Sequence, residues 1–313
     1  MKLLSILIPT FNRANYLNES LSTIVPQIKK YEEYIDFAIS DNASTDETED
    51  VVKKYSTSVT IRYTKNESNI GYVGNFQQLL SNAEGQYIYL MGDDDIVAPD
   101  FIDIVVNLLK SSKDYSLIHW NRLSCDEKCQ NGLLVDGGYE MVEWRGSSAE
   151  FIMKIMDNAN FISSIIFHRE CWALGGDCSS DYYLGYDWFV RLYKGSLLHN
   201  KTCLYYYFPL VLQRNPSKSW VQYWPQYCIS SLSNIFFELD AQIPGLYKKW
   251  SRKLRKETLK CLPLVGMNRN YYRKKEVKKL ILNHLTFFEK IWYYVFLIPG
   301  LYSLLKVMLR IVR

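Results

Sequence analysis

Glycine is absent from the first part of this chain: the first of its 15 glycines is Gly71. The turn after the first apolar segment, Pro9-Thr10-Phe11-Asn12-Arg13, therefore contains none. Dinucleotide-binding folds and P-loop proteins need glycines at that turn, because only glycine lets backbone amides come so close to a phosphate. Both kinds of phosphate site are excluded there, and a nucleotide has to be held in another way.

Paired cysteines are also lacking. The seven cysteines are odd in number and show no paired spacing, which indicates a reducing compartment and no disulfide framework. The apolar start, Met1 to Thr10, has no small-residue cleavage site, so we expect no signal peptide and a cytoplasmic protein. The four histidines have no metal-ligand spacing with cysteine, so no zinc site is expected.

Charge is distributed unevenly along the 313 residues. The net charge is only +4, but residues 246–313 hold 17 Lys or Arg against 3 Asp or Glu. The first 245 residues hold 20 basic and 30 acidic residues. This segregation predicts different partners for the two regions.

Short apolar segments alternate with amphipathic stretches, a pattern typical of a parallel sheet covered by helices. It predicts an α/β fold with a mostly parallel sheet. The predicted strands are Leu3–Pro9, Ile35–Ser40, Val59–Tyr63, Tyr87–Met91, Ser163–Phe167 and Cys203–Phe208. The predicted helices are Tyr16–Ile28, one opened by Asp46, Phe76–Ala83 and Pro99–Leu109, and the chain beyond Trp220 is expected to be helical.

Polar residues cluster where three predicted strands end, at the edge where open α/β sheets bind ligands. Asp41, in Ser40-Asp41-Asn42-Ala43-Ser44-Thr45-Asp46, could accept hydrogen bonds from a base or a ribose. It could equally serve its own loop, and for Asp46 a helix cap is the preferred interpretation.

Three adjacent carboxylates, Asp93, Asp94 and Asp95, follow Gly92 and the strand Tyr87–Met91. They repel one another unless a cation relieves them, which favours a divalent metal that also binds phosphate oxygens. The alternative is a solvated acidic turn, but the shared sheet edge with Asp41 favours the metal.

Two further segments are ambiguous on spacing alone. Asp187 precedes an apolar helical pattern, where an Asp is ordinarily a helix cap. The donor-rich segment from Gln213 to Ser219, which includes Arg214, either closes over a diphosphate or forms a surface loop.

Taken in order, these segments resemble family 2 glycosyltransferases of the GT-A fold, a Rossmann-like fold that binds nucleotide-sugars. The motifs that carry the resemblance are Ser5 to Arg13, Ser40 to Asp46, Asn69-Ile70-Gly71, Asn75, Ala83 to Ile88 and Asp93-Asp94-Asp95. The resemblance is close over about the first 110 residues and looser to about Trp220. Among the members, bacterial enzymes of O-antigen or capsule repeat units, of the abequosyltransferase type, are most similar.

The resemblance implies an inverting enzyme that transfers a sugar from a nucleotide-sugar to a saccharide acceptor, often lipid-linked. It implies Mn²⁺ or Mg²⁺ on Asp94 and Asp95, with Asp94 first, and Asp187 as catalytic base. The expected donor-binding residues are Pro9, Thr10, Phe11, Arg13, Asp41, Asn69, Gly71, Asn75, Asp93 and Arg214. Gly92 and Tyr186 depart from the family pattern, which has Asp and Glu there.

We therefore expect a glycosyltransferase domain over residues 1–220, with a donor half (1–115) and an acceptor half (116–220), and a basic helical extension over 221–313. The uncharged run from Ile291 to Leu305 is short for a membrane span, which needs about 20 residues. It predicts a helix lying on an anionic membrane, at the inner face of a bacterial cell membrane, with Trp292, Tyr293 and Tyr294 near the headgroups. A helical cap on the domain is the alternative, and no nucleic-acid motif is present.

Two other functions compete with sugar transfer. A sugar-phosphate nucleotidyltransferase needs a glycine-rich basic loop after the first strand, which Pro9 to Arg13 does not supply. A non-catalytic glycosyltransferase-like binding protein is favoured by Gly92 and Tyr186 but opposed by Asp41, Asp94 and Asp187.

Overall fold

The computed structural model describes residues 1–111, 114–135, 142–155, 161–176, 187–215 and 224–299. The chain divides into two compact units. The first comprises Met1–Asp177 and Arg191–Asn215, and the second Cys178–Val190 and Pro216–Arg313. The assignment of donor, acceptor and extension roles to parts of the chain stays a prediction.

One mixed sheet forms the first unit, with the strand order β3-β2-β1-β4-β9-β6-β10-β5, β7 on β6 and β8 on β10. Strands β1 to β4 are parallel, and β9 is antiparallel to both of its neighbours. The strands are β1 Lys2–Thr10, β2 Ile35–Asp41, β3 Arg62–Lys65, β4 Gly85–Leu90, β5 Ile96–Val97, β6 Tyr115–Cys125, β7 Leu133–Leu134, β8 Glu143–Gly146, β9 Ile165–His168 and β10 Thr202–Arg214.

Helices flank this sheet, and the connections between its parallel strands contain them. They are α1 Ala14–Ile28, α2 Thr48–Ser56, α3 Gly71–Ser81, α4 Phe101–Lys110, α5 Ser148–Ile155, α6 Arg169–Leu174 and α7 Asp187–His199. Helix α1 buries Leu17, Leu21, Ile24 and Ile28, which recur at helical spacing on one face. The predicted α/β arrangement is thus confirmed, with a mixed sheet that is parallel over β1 to β4 and between β6 and β10.

Strand β1 lies at the centre of the core. Leu4, Ile6, Leu7 and Ile8 are all 0% exposed, because helices cover both faces of the sheet and side chains on both faces are buried. This is why the sequence of the strand is almost continuously apolar. The run positions the turn from Phe11 to Arg13 rigidly at the end of β1.

The strand register brings the predicted site loops to one edge. Thr10 pairs with Asp41 at the ends of β1 and β2, and Leu7 pairs with Leu90 at the end of β4. Backbone hydrogen bonds extend both pairings, from Asn42 N to Thr10 O at 2.9 Å and from Met91 N to Leu7 O at 3.0 Å. The three loops therefore leave the sheet side by side, as predicted.

Two predicted elements have different bounds in the structure. The third strand is Arg62–Lys65 instead of Val59–Tyr63, because its pairing begins only at Arg62 opposite Ala38, while Val59 is buried in the preceding loop. Helix α3 is Gly71–Ser81 instead of Phe76–Ala83. It starts earlier because Gly71 adopts φ +78°, a left-handed conformation that costs glycine little.

The described part of the second unit is helical, as predicted for the chain beyond Trp220. Its helices are α8 Trp224–Gln226 with a π-helical turn Tyr227–Ser231, α9 Leu232–Leu239, α10 Leu246–Val265, α11 Arg269–Tyr272, α12 Lys275–Leu282 and α13 Phe287–Phe296. Trp250 and Phe236 pack with ring centroids 5.0 Å apart, and Trp250 Nε1 donates to Ser233 Oγ at 2.9 Å. The unit thus has a core of its own.

Helix α13 presents an apolar stripe to the surface. Phe287, Phe288, Ile291 and Trp292 are between 45% and 75% exposed. Tyr293 is fully buried and its hydroxyl donates to Tyr272 O at 2.6 Å, so the prediction of Tyr293 near headgroups is wrong. None of the helices in the described ranges is both long enough and apolar enough to cross a bilayer.

Candidate donor and metal site

The acidic loop after β4 meets the end of β1. Thr10 Oγ1 donates to Asp93 Oδ2 at 2.8 Å. Arg13 Nη1 donates to Asp93 Oδ1 at 3.0 Å and to Asp94 Oδ2 at 2.7 Å. Burial raises the pKa of Asp93 to about 6, even though Arg13 opposes that rise. The site therefore concentrates negative charge that one guanidinium only partly offsets.

Asp95 points into the protein. Its Oδ2 accepts from Ser163 Oγ at 2.5 Å and its Oδ1 from Arg214 N at 3.3 Å. Burial, and after it the charge of Asp94, raises the pKa of Asp95 to about 8. Of the two predicted metal ligands, Asp94 is the more accessible, with its side chain 16% exposed.

The glycine that replaces the family's first Asp has a local explanation. A Cβ on Gly92 would lie 2.7 Å from Asp95 Oδ2, closer than real Cβ contacts allow. Gly92 N donates to Ser163 Oγ at 2.8 Å, so Ser163 links Gly92 to Asp95. A side chain at position 92 would therefore require Asp95 to shift from its hydrogen bond with Ser163.

The donor set of the loop fits a hard divalent cation. Asp93 and Asp94 direct one oxygen each to the same guanidinium nitrogen, which shows that one cation can reach both. Carboxylate oxygens are the ligands that Mg²⁺ and Mn²⁺ prefer. Asp93 and Asp94 are therefore the residues best placed to hold such an ion.

Asp41 is buried beneath the second loop. Its Oδ1 accepts from Ser44 N at 2.7 Å and its Oδ2 from the Tyr63 hydroxyl at 2.7 Å. Asp41 is 0% exposed, and Ala43 beside it has φ +68°. Burial, and then the hydrogen bond to Asp41, raises the pKa of Tyr63 well above its usual range, so Tyr63 stays a donor. Base recognition by Asp41 stays a prediction.

Side-chain amides join the ends of β2 and β3 to α3. Asn42 Nδ2 donates to Asn69 Oδ1 at 2.8 Å, which also accepts from Gly71 N at 2.8 Å. Asn75 is buried, receives a hydrogen bond from Ser40 Oγ at 2.6 Å and donates to Ser40 O at 2.9 Å. Of the predicted donor residues here, Asn69 and Gly71 are exposed, whereas Asn75 supports the loop from below.

Asp46 joins the first two loops. Its Oδ2 accepts from Ala14 N at 2.9 Å, at the start of α1, and its Oδ1 from Thr48 N at 3.2 Å, at the start of α2. The N-cap residues are Arg13 for α1 and Glu47 for α2, so Asp46 is not the N-cap itself, but its carboxylate supports the first turns of both helices. Pro9 and Thr10 are buried next to this junction, while Phe11 is 41% exposed.

Arg214 lies behind the acidic loop with only 5% of its surface exposed. Its Nε donates to Asp94 O at 3.0 Å, its Nη1 to Glu127 O at 2.5 Å, and its Nη2 pairs with the Glu19 carboxylate. In this structure the guanidinium positions the acidic loop, and its predicted contact with a donor stays a prediction. An open cavity of ≈ 490 Å³ adjoins it, lined by Asn15, Tyr16, Glu19, Glu127, Lys128 and Arg214.

Three of these supporting residues were not singled out from the sequence: Glu19, Tyr63 and Ser163. Ser163 is 68 positions from Asp95, and Glu19 is 195 positions from Arg214. Neither residue belongs to a motif. Tyr63 lies in the predicted strand Val59–Tyr63, but its contact with Asp41 was not predicted.

The predicted base, Asp187, is the first residue of helix α7. Its side chain, the preceding residues 177–186 and residues 216–219 of the predicted diphosphate segment lie outside the described residues. Its role therefore stays a prediction.

A second group of ligand-type residues lies at the opposite edge of the sheet. Asp114, His168 and His199 each bring one potential ligand atom to within 4.8 Å of the others, although the sequence predicted no zinc site. The two imidazoles stack with centroids 4.5 Å apart, and His168 Nδ1 accepts from Glu170 N at 3.2 Å. That bond leaves the proton of a neutral His168 on Nε2, which lies 3.3 Å from Gln86 Nε2 and 4.0 Å from Asp114 Oδ1, the latter beyond hydrogen-bond distance.

Comparison with known proteins identifies relatives among the glycosyltransferases. The model of Glycosyl transferase family 2 matches residues 5–131. Abequosyltransferase RfbV of Salmonella typhimurium is 30% identical over 230 residues, which cover 69% of this chain and 68% of that protein.

Solved structures share the fold at lower identity. Staphylococcus aureus TarS 1–349 in complex with UDP-GlcNAc superposes with a TM-score of 0.55 at 14% identity, covering 94% of this chain and 88% of that one. The mannosyltransferase PcManGT of Pyrobaculum calidifontis, in complex with GDP-Man and Mn²⁺, gives a TM-score of 0.54 at 15% identity, covering 96% and 86%.

Proposed function

Because this chain belongs to glycosyltransferase family 2, we propose that it transfers a sugar from a nucleotide-sugar donor to a hydroxyl group of a saccharide acceptor. The GT-A fold expected from the sequence is confirmed by the neighbours TarS and PcManGT. Those two structures contain UDP-GlcNAc and GDP-Man, which supports a nucleotide-sugar as the donor class.

The observation that carries the proposal is the meeting of Asp93 and Asp94 with the end of β1. Asp41 lies at the next strand end, so a nucleotide laid across the edge of the sheet reaches both loops. In the proposed arrangement Asp41 and the exposed Phe11 face the base, and Asp93 faces the ribose. The exposed Asn69 and Gly71 border the same side.

The proposed reaction is a displacement with inversion. The acceptor hydroxyl attacks the anomeric carbon, its proton passes to Asp187, and the nucleoside diphosphate leaves from the opposite face. Mn²⁺ or Mg²⁺, when bound by Asp94 with Asp93, supplies a positive charge for the leaving diphosphate. Ser163 and Arg214 fix Asp95 and the backbone of Asp94, so the loop is held in position before the donor arrives.

We further propose that the product belongs to a bacterial cell-surface polysaccharide. The support is the relative named as an abequosyltransferase, together with TarS, named as a poly(ribitol-phosphate) β-N-acetylglucosaminyltransferase. A lipid-linked acceptor on the inner face of the cell membrane fits the basic charge of residues 246–313.

Thermal melting with and without nucleotides tests the proposed donor site. The protein is heated with UDP, GDP, CDP or dTDP, each with and without Mn²⁺, because a ligand that binds only the folded state raises the melting temperature. We expect one nucleotide to stabilise the protein, and only with metal. Sugar donors of that nucleotide are then assayed with Asp187→Asn, which should keep the shift and lower turnover by about 10²- to 10⁴-fold. No shift with any nucleotide, in folded protein, favours the non-catalytic binding protein.

Helix α13 provides the proposed membrane contact. Phe287, Phe288, Ile291 and Trp292 form its exposed stripe, and Lys290 lies in the same helix. Apolar and aromatic side chains at the headgroup level, with lysines beside them, bind anionic bilayers.

The membrane proposal is tested by vesicle sedimentation. Phe288→Ser with Trp292→Ser should release the protein from vesicles that contain anionic lipid, while Leu133→Ser, at a 73% exposed position of the first unit, should not. Equal binding of all forms would show that α13 does not provide the contact, and no binding by any form would favour the helical cap as the role of this region.

A further inference from the structure

Arg13 occupies the position between the two best metal ligands. A single nitrogen, Nη1, lies 3.0 Å from Asp93 Oδ1 and 2.7 Å from Asp94 Oδ2. The Arg13 side chain is 30% exposed, against 9% for Asp93 and 16% for Asp94, so it covers the carboxylates from the solvent side. The oxygens that it engages are the same ones that a divalent ion needs.

The charges explain why a cation stands there. Asp93, Asp94 and Asp95 are adjacent, and two of them are buried. Burial opposes the charge of the Arg13 guanidinium, but Asp93 and Asp94 raise its pKa well above the usual range. A divalent ion on the same two oxygens would lie within a few ångströms of the guanidinium, where like charges repel strongly.

We propose that Arg13 is a built-in counter-ion that the divalent metal displaces, and that the released guanidinium then binds the diphosphate of the nucleotide. This inference rests on the proposed function and assigns a second role to one of its donor-binding residues. Metal and Arg13 exclude each other at Asp93 and Asp94. The metal and the diphosphate therefore bind with positive coupling, because the diphosphate supplies the anion that the displaced guanidinium lacks.

The backbone around Arg13 is fixed, so the movement is confined to the side chain. Arg13 O accepts from Leu17 N at 2.9 Å in the first turn of α1, and Asp46 holds Ala14 N at 2.9 Å. The guanidinium carbon lies 5.5 Å from the centroid of the Tyr16 ring, beside which it can turn. Rotation about the side-chain bonds is sufficient to leave the two carboxylates.

Arg62 provides a matched control. Arg62 Nη2 lies 2.9 Å from Oδ2 of the buried Asp36, and the Arg62 side chain is 32% exposed. Replacement of Arg62 by Gln removes one positive charge, as the replacement of Arg13 by Gln does. Arg62 contacts an acid at the opposite edge of the sheet. The Arg62→Gln variant therefore reports the general effect of charge, whereas Arg13→Gln reports the effect at the site.

The test measures Mn²⁺ binding without nucleotide, from the electron paramagnetic resonance signal of free Mn²⁺. We expect Arg13→Gln to bind Mn²⁺ about tenfold more tightly than the wild type, a difference of about 1.4 kcal/mol. Arg13→Lys should restore affinity close to that of the wild type, and Arg62→Gln should leave it unchanged. With Mn²⁺ present, Arg13→Gln should bind the stabilising nucleoside diphosphate about tenfold more weakly.

Unchanged or weaker Mn²⁺ binding by Arg13→Gln overturns the inference and leaves the proposed function standing. Absence of Mn²⁺ binding in every variant, also with a nucleoside diphosphate, overturns the metal-dependent function and the inference together. Circular dichroism checks the fold of each variant. If Arg13→Gln is unfolded, Arg13→Met, which keeps an apolar stem beside Tyr16, takes its place in the same titration.

Discussion

Two arginine–carboxylate clusters lie at opposite ends of the parallel strands. At the amino-terminal end, Asp36 accepts from Ser5 Oγ at 2.6 Å, from Glu84 N at 3.0 Å and from Arg62 Nη2 at 2.9 Å. At the carboxyl-terminal end, Arg13 forms ion pairs with both Asp93 and Asp94, and Asp95 follows them in the chain. One cluster balances one carboxylate with one arginine, whereas the other leaves an excess of negative charge.

The difference separates a structural cluster from a functional one. The Asp36 cluster ties β1, β2, β3 and the start of β4 together, and each partner is satisfied within the protein. The acidic loop is organised by Thr10, Ser163 and Arg214, but these contacts do not neutralise it. Unbalanced charge that the fold tolerates indicates a ligand of the opposite sign.

Among substitutions in the two clusters, we expect Asp94→Asn in the acidic loop to have the largest effect on turnover. Turnover should fall by about 10²- to 10³-fold, because a charge that serves the leaving diphosphate is lost. The melting temperature should not fall, since removal of one of three adjacent carboxylates relieves repulsion. Steady-state kinetics and thermal melting measure the two quantities.

The control for this prediction is Asp103→Asn, which removes the same charge from an exposed ion pair with Lys30 at 2.9 Å. Exposed pairs contribute about 0–1 kcal/mol, so both quantities should stay close to the wild type. Turnover of Asp94→Asn within threefold of the wild type would show that the acidic loop is merely structural.

Much of the fold and part of the candidate site can be predicted from the sequence alone. The apolar segments predicted the central strands, and strand ends in a parallel sheet share an edge, so Asp41 and the acidic loop were expected together. The start of α3 was missed because Gly71 permits a backbone conformation that apolar periodicity does not reveal. Strand β3 was displaced because its register depends on pairing with β2.

The partners of the acidic residues were less predictable than the residues themselves. Ser163 reaches Asp95 from the 3-10 turn Ile162–Ser164 before β9, and Glu19 reaches Arg214 from helix α1. Such contacts depend on how distant segments pack, and no local pattern encodes them. A single sequence thus identified Arg13, Asp41 and the acidic loop, but not Glu19 or the contacts that determine which of these residues face the solvent.

A smaller effect, on stability instead of turnover, is expected from Asp36→Asn. The change leaves Arg62 and the Ser5 and Glu84 donors facing an amide in a buried site, since Asp36 is 6% exposed. Breaking such a pair costs about 3 kcal/mol, at the low end for buried pairs because the Arg62 side chain is 32% exposed. The melting temperature should fall by roughly 6–12 °C, while turnover of the folded enzyme stays unchanged.

Ser5→Ala separates charge from hydrogen bonding in this cluster. It removes the Ser5 donor to Asp36 and the acceptor of Gly85 N at 2.7 Å but leaves the ion pair intact. Its cost should be smaller, about 1–2 kcal/mol. If Asp36→Asn instead lowers turnover as strongly as Asp94→Asn at an unchanged melting temperature, the two clusters do not differ in kind. The division between structural and functional carboxylates would then have to be redrawn around coupling through β1, which connects the two ends.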